Sequence, residues 1–453
     1  MRILMAGSEM SPFARTGGLG EAIAGIAEGV ASLGHEVTVV MPAYRHLRTE
    51  GVARNGHDGA AFRTWRSGDV EVMAFDEPDL FDRAGIYGDE HGTAYADQWV
   101  RFGTFSSVVA GLSAEFDVLH IHDAHTGPAA LTAPIPTVFT IHNAAYGIIG
   151  PLDAAAALVH APPAAVQAEG PLEWWGQANY LKAGIAGADL VTTVSPTFAK
   201  QLGHDASISS GLDRVISSLP TPIRGITNGI SPEAWDPATD PSLPEPFSEK
   251  DLKGRSAARQ VLLDRSGLDS GFVLGNVGRM SEQKGLGLLD GALDALVESG
   301  VRFVLVGNGE LDELVDGWSD RHPDAVWHTE YSEELSRMVS AGADGYLMPS
   351  RFEPCGIGQM YAMRYGAVPI VHLTGGLADT VVDIDERPTE ATGFGFRLFE
   401  PIELTKTIRR AQRTFERDPA MWSYLMRRGM TSDFSWKRAA REYVEAYEDA
   451  IGA

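Results

Sequence analysis

Three charged side chains could carry chemistry in this sequence. Arg279 and Lys284 lie five residues apart in Gly278-Arg279-Met280-Ser281-Glu282-Gln283-Lys284-Gly285. Two cations at a strand-to-helix turn make a clamp for a diphosphate, or else two solvated surface charges. Glu353 lies in Ser350-Arg351-Phe352-Glu353-Pro354-Cys355-Gly356-Ile357-Gly358, just ahead of a glycine-rich helix start. The backbone amides of a helix start attract an anion, and glycine lets a ligand come close. A carboxylate beside a phosphate site is an odd pairing for phosphate alone. It suits a ligand with phosphates at one end and hydroxyls at the other, such as a sugar nucleotide.

Histidines form a second constellation. His120, His122 and His125 cluster with Asp123. Histidine and carboxylate are common metal ligands. The same residues also suit a strand end with alternating faces, His120 and His122 on one side and Asp123 on the other. With Arg279 and Lys284 on a diphosphate there is less need of a cation, and neither a metal nor a cofactor is expected. His142-Asn143 ends another strand, where it can hydrogen-bond sugar hydroxyls. Trp174 and Trp175 can stack on a sugar face or pack in a core. Cys355 is the only cysteine, has no base to pair with, and is expected to be buried rather than nucleophilic.

The elements that must position these groups repeat one pattern. Ile3 to Ala6 reads as a strand, followed by a loop through Gly17-Gly18-Leu19-Gly20 and a helix with apolar residues at Ile23, Ile26, Ala27, Val30 and Leu33. Further strands are predicted at 37–40, 70–75, 118–121, 136–141, 190–194 and 223–227, and helices at 98–112 and 180–186. A proline-rich stretch then interrupts the alternation. It restarts with strands at 272–277, 303–306, 326–328, 345–349 and 368–371, a helix over 286–298, and an amphipathic helix over 435–451. Alternating strands and helices imply parallel sheets with ligands at the strand carboxyl ends. The fold class is therefore α/β, two doubly wound Rossmann-like domains facing across a cleft. The expected division is 1–235 for the first domain, on the acceptor side, 236–250 for a proline-rich linker, 251–430 for the second, on the sugar-nucleotide side, and 431–453 for a helix crossing back to the first.

Composition narrows the function classes. A length of 453 residues calls for two or three domains. A net charge of −24 argues against a nucleic-acid partner. No apolar run is long enough to span a bilayer, so no membrane partner is expected, and the early Ser8-Glu9 break argues against a signal peptide. One cysteine fits a reducing compartment, and the expected location is the cytoplasm.

On these residues the chain resembles the bacterial glycogen and plant starch synthases, retaining glucosyltransferases of the GT-B fold. The resemblance runs nearly end to end. It rests on Ser8-Glu9-Met10 through Gly20, His122-Asp123, Phe139 to Asn143, Leu181 to Gly184, Thr193 to Thr197, Gly278-Arg279 with Gln283 to Gly285, Asp433 to Trp436 and, most specifically, Ser350 to Gly356 with Thr374 to Val381. It implies that Arg279 and Lys284 hold the diphosphate and stabilise the leaving group, that Glu353 binds the donor sugar near the reacting carbon, and that His142 contacts the glucosyl group. It also implies donor contacts from Arg15, Gly18, Asn228, Tyr331, Ile357, Gly358, Gly375 and Gly376, and sugar or acceptor contacts from Asp123, Asn143 and Tyr95. The expected partners are ADP-glucose and an α-glucan. The expected reaction is transfer of glucose to the glucan's non-reducing end, by front-face attack rather than through a covalent enzyme intermediate. Alternatives are a retaining transferase using UDP- or GDP-glucose on a smaller acceptor, and a non-catalytic glucan-binding paralogue. The family usually carries Lys where this chain has Arg15, Asp where it has Glu21, an aromatic where it has Ala124, and Leu-Thr where it has Ile357-Gly358.

Overall fold

The structure is a computed structural model, and it describes residues 1–47, 50–55 and 59–452. Its strands, in chain order, are β1 (Arg2–Ala6), β2 (Glu36–Pro42), β3 (Val52–Asn55), β4 (Ala61–Ser67), β5 (Val70–Phe75), β6 (Val118–His122), β7 (Thr137–Ile141), β8 (Ile149–Pro151), β9 (Glu173–Trp174), β10 (Gln177–Asn179), β11 (Leu190–Thr193), β12 (Arg224–Gly225), β13 (Phe272–Val277), β14 (Val301–Val306), β15 (Val326–Thr329), β16 (Gly345–Met348), β17 (Val368–His372) and β18 (Phe394–Phe396). The chain divides into two compact units, Met1–Gly229 with Ser435–Ala453, and Ile230–Phe434.

The first unit is built on a sheet of order β12-β11-β7-β6-β1-β2-β5-β4-β3. From β12 to β5 the pairing is parallel, while β4 and β3 add an antiparallel edge. Ile3, Leu4, Met5 and Ala6 of β1 are fully buried, as a central parallel strand covered on both faces requires. Starting at β1, the chain first winds out through β2 and β5, then returns to the other side of β1 through β6, β7 and β11. The order reverses between β1 and β6, and a doubly wound sheet binds ligands beyond the strand carboxyl ends at such a reversal. The loop Gly7 to Gly17 and the turn His122-Asp123 both emerge there.

Helix Trp436–Gly452 is part of this unit. Its buried stripe of Ala439, Ala440, Tyr443, Ala446, Tyr447 and Ala450 follows helical spacing. It packs on helix Gly18–Ala31. Gly25 of that helix admits the Trp436 ring, since a Cβ on Gly25 would lie 2.0 Å from a ring atom.

The second unit has one parallel sheet of order β15-β14-β13-β16-β17-β18. Its reversal lies between β13 and β16. The two strands flanking it lead into the Gly278–Gly285 and Ser350–Gly358 loops, where the sequence places its cations and its carboxylate.

Several elements differ from the sequence reading. The segment 236–250, expected as a linker, is held in the second unit: the Tyr365 hydroxyl donates to Asp240 at 2.5 Å, and Phe247 is buried. The helix expected over 286–298 is broken into a 3₁₀ turn, Leu286–Leu289, and a helix, Leu293–Glu298, with Gly291 in the interruption. Glycine there lowers the helix's own stability. The strand expected over 223–227 pairs only at Arg224–Gly225. The antiparallel edge and the small β8-β10-β9 sheet are additions.

Candidate active site

In the second unit, tertiary structure joins the two charged motifs. Lys284 Nζ donates to Glu353 Oε2 at 2.7 Å, and Ser350 Oγ donates to the same oxygen at 3.0 Å. Glu353 is buried and Lys284 half-buried. A carboxylate taken out of water costs free energy unless it is paired, and Lys284 supplies the pairing. Arg279 is exposed in the neighbouring turn after β13. Lys284 and Arg279 thus put positive charge beside the buried Glu353 carboxylate in these adjoining loops.

The loop after β17 is locked onto this carboxylate's backbone. The Gly376 amide donates to the Glu353 carbonyl at 3.0 Å. Gly375 has φ +44°, and a Cβ on it would fall 1.9 Å from the Glu353 carbonyl oxygen; one on Gly376 would fall 2.1 Å from the Cys355 carbonyl oxygen. Only glycine permits both approaches. Ile357 precedes the helix Gly358–Arg364. Tyr331, beyond the end of β15, is 49% exposed, a ring open to a stacking partner. Cys355 is buried.

In the first unit, β6 and β7 bring the histidines together. The rings of His120 and His122 lie 4.1 Å apart, and His122 Nδ1 is 2.9 Å from His142 Nε2. His120 Nδ1 meets the Tyr447 hydroxyl at 2.8 Å, and its Nε2 meets Thr140 Oγ1 at 2.6 Å. Burial pushes the imidazoles of His120 and His122 well below the ordinary histidine range and those of His125 and His142 down to about 3, so all four are neutral near pH 7.

Asp123 holds the turn between β6 and the next segment. Its φ of +55° is left-handed, a conformation that Asp tolerates better than most residues. In this position Oδ1 accepts the backbone amides of His142, at 2.7 Å, and Asn143, at 3.4 Å. Burial outweighs these hydrogen bonds and pushes the Asp123 carboxyl up to about 7. One carboxylate oxygen is thus committed to holding His142 and Asn143 in place.

The loop beyond β1 has its own brace. Glu9, 2% exposed, accepts the Thr16 amide at 2.7 Å, the Thr16 hydroxyl at 2.8 Å and the Tyr87 hydroxyl at 2.5 Å. These bonds fix the backbone leading into Gly17-Gly18, and Gly18 begins the helix. Arg15 Nη1 donates to Glu21 Oε1 at 2.8 Å, so two of the positions that depart from the family pattern are partners. The Asn228 side chain is buried, with its amide oxygen unpartnered among the described residues.

Tyr95 is placed otherwise. Its ring lies under the guanidinium groups of Arg83, at 4.8 Å, and Arg101, at 5.0 Å, and its hydroxyl accepts the Gly85 amide at 3.3 Å. Its amide also donates to the Tyr87 carbonyl at 3.1 Å, and the Tyr87 ring lies 4.9 Å from that of His125. Trp175 is 87% exposed at a hairpin tip, and Trp174 is half-buried. The sequence reading did not single out Ser350 or Glu9 as functional. For His122 it weighed only ligation or packing, with His120 and His122 on one strand face.

Comparison with known proteins gives the family and the fold. A family described as "Starch synthase catalytic domain" matches residues 2–218, and one described as "Glycosyl transferases group 1" matches residues 271–411. The glycogen synthase of Syntrophotalea carbinolica is 36% identical, over 100% of this chain and 99% of its own. That of Myxococcus xanthus is 38% identical over 100% of both chains. Among solved structures, the catalytic domain of starch synthase IV from Arabidopsis thaliana, bound to ADP and acarbose, matches with TM-score 0.86 at 28% identity, covering 100% of this chain and 99% of that one. A sucrose-phosphate synthase from Thermosynechococcus elongatus, 17% identical with TM-score 0.65, shares the fold.

Proposed function

The chain belongs to the family of bacterial glycogen and plant starch synthases, and from that premise we propose that it transfers glucose from ADP-glucose to the non-reducing end of an α-1,4-glucan. It is a glucan-synthesising glycosyltransferase of the GT-B fold. The choice of ADP-glucose and the residue roles are our own reading. The observation that supports them is the Lys284–Glu353 contact, a cation and a carboxylate at one point beyond the reversal of the second sheet. The relative from Arabidopsis is described with ADP and with acarbose, ligands of the expected two classes.

In this mechanism Arg279 and Lys284 face the diphosphate and neutralise charge as the bond from the anomeric carbon to the phosphate oxygen breaks. Stabilising charge that develops on the departing group is the main catalytic contribution. Glu353 orients Lys284 and accepts sugar hydroxyls. Arg15, Gly18, Asn228, Tyr331, the Ile357 and Gly358 amides, and Gly375-Gly376 complete the donor contacts, while His142, Asn143 and Asp123 serve the glucosyl and acceptor side. The acceptor hydroxyl attacks on the face the diphosphate leaves and passes its proton to the departing phosphate oxygen, which preserves the anomeric configuration.

A donor screen tests this reading. Purified protein is supplied with glycogen and, separately, ADP-, UDP- and GDP-glucose, and glucan gain and nucleoside diphosphate release are both measured. ADP-glucose is expected to be preferred. Preference for UDP- or GDP-glucose would overturn the donor assignment, and release without glucan gain would overturn the acceptor.

A further inference from the structure

The bond between His122 and His142 can be made in two ways, which differ in what they leave buried. Both rings are neutral, so one nitrogen donates and the other accepts. If His142 Nε2–H donates to His122 Nδ1, the proton of His122 must sit on its other nitrogen. That nitrogen, Nε2, is buried and has no partner among the described residues. An N–H group would then be stranded in the protein interior, an arrangement native structures rarely tolerate. If instead His122 Nδ1–H donates to His142 Nε2, only a lone pair is stranded. His142, with Nε2 accepting, then carries its proton on Nδ1.

The ring of His122 also packs against a fixed neighbour. His120 lies 4.1 Å from it, tilted by 44°, and is itself fixed at both nitrogens by Tyr447 and Thr140. No carboxylate hydrogen-bonds the His122 or His142 ring among the described contacts; Oδ1 of the neighbouring Asp123 accepts the backbone amides of His142 and Asn143 instead. Nothing there favours an imidazolium. His142 is half-buried, so its Nδ1 edge is the one left for a ligand.

We propose that His122 is a positioning residue that locks His142 in the Nδ1–H form, so that His142 offers its ligand a neutral hydrogen-bond donor and never a proton or a charge. The ligand atom it meets is then an acceptor oxygen, a sugar hydroxyl or ring oxygen of the donor glucose. That last step rests on the function proposed above; the protonation of the free enzyme does not. Free imidazole side chains in water favour the opposite, Nε2–H form, so the claim departs from the default.

The test uses the full chain labelled with ¹⁵N in histidine. Long-range ¹H–¹⁵N correlation spectra distinguish a protonated from a bare ring nitrogen, and the His142 signals are assigned by their loss in His142→Gln. The expected result is a protonated Nδ1 and a bare Nε2, unchanged across the neutral pH range. A protonated Nε2 would overturn the proposal. His122→Leu removes the donor and is expected to shift His142 toward Nε2–H and to lower kcat/KM for the sugar nucleotide by about ten-fold, the scale of one hydrogen bond. His122→Asn, whose amide can donate from nearly the Nδ1 position, is expected to restore the Nδ1–H form and most of that loss. Equal kcat/KM in all three proteins would also overturn it. A protein that turns over no sugar nucleotide yet shows Nδ1–H would sink the proposed function while supporting this assignment.

Discussion

Acidification offers a strong test of the histidine cluster. His120, His122 and His125 are at most 8% exposed, and each is held neutral in the folded chain by burial. Unfolded, they would protonate near pH 6.5. A group whose folded pKa is depressed contributes stability that is complete above its unfolded pKa and is lost as pH falls toward the folded one. Asp123 acts in the other direction. Its folded pKa is raised from 3.8 to about 7, so it favours the folded state at low pH and loses that contribution as pH rises through 7. Between about pH 6 and about pH 5 the unfolded state therefore binds three more protons at the histidines and one fewer at Asp123. Two net protons correspond to about 3 kcal/mol per pH unit, and half-buried His142 adds to the same slope. A typical domain has only about 5–15 kcal/mol in total, so one pH unit removes a large share of the first unit's stability. Denaturant unfolding followed by circular dichroism from about pH 7.5 down to about pH 5 would measure this slope. His120→Asn should flatten it by one proton's worth, about 1 kcal/mol per pH unit. A stability that stays level to within about 1 kcal/mol across that window would refute the neutral, buried state of the cluster.

Further outcomes can be stated briefly. Glu353→Ala is expected to leave thermal unfolding nearly unchanged and to lower turnover by about 10²-fold, and near-normal turnover in the folded variant would remove Glu353 from the site. Gly376→Ala should destabilise the second unit by about 1–3 kcal/mol, because its Cβ would meet the Cys355 carbonyl oxygen at 2.1 Å. Gly17→Ala is the control for that experiment, since a Cβ there meets nothing within 4 Å. Arg15→Ala should raise the donor KM and lower kcat together; because Arg15 is tied to Glu21, Glu21→Gln should reproduce part of the effect, and steady-state kinetics on both variants would show whether the pair acts as one. Activity should survive exhaustive chelation, with Arg279 and Lys284 supplying the positive charge; activity lost on chelation and restored by added metal would return His122 and Asp123 to consideration as ligands.

What the sequence determined by itself is the alternation of apolar strands and amphipathic helices, and with it the parallel core of each of the two main sheets. Those patterns are local, fixed by periodicity and by glycine at turns, so the helix over 98–112 and the strand over 272–277 could be read residue by residue. The motifs at Gly278 to Gly285 and Ser350 to Gly358 were legible for the same reason. Their meeting was not. Lys284 and Glu353 are separated by three strands' worth of chain, and only the strand order, which sets β13 beside β16, makes them partners. Tyr447 is more remote still: its hydroxyl reaches His120 across more than 300 residues, through a helix whose stripe signals that it packs but not on what. The expected linker failed because proline content reports backbone stiffness and says nothing of the Asp240 contact with Tyr365. Protonation lay furthest from the sequence, since a histidine reads the same whether exposed or enclosed. Burial by β6, β7 and the C-terminal helix is what makes the cluster neutral and leaves one ring nitrogen of His122 without a partner among the described residues.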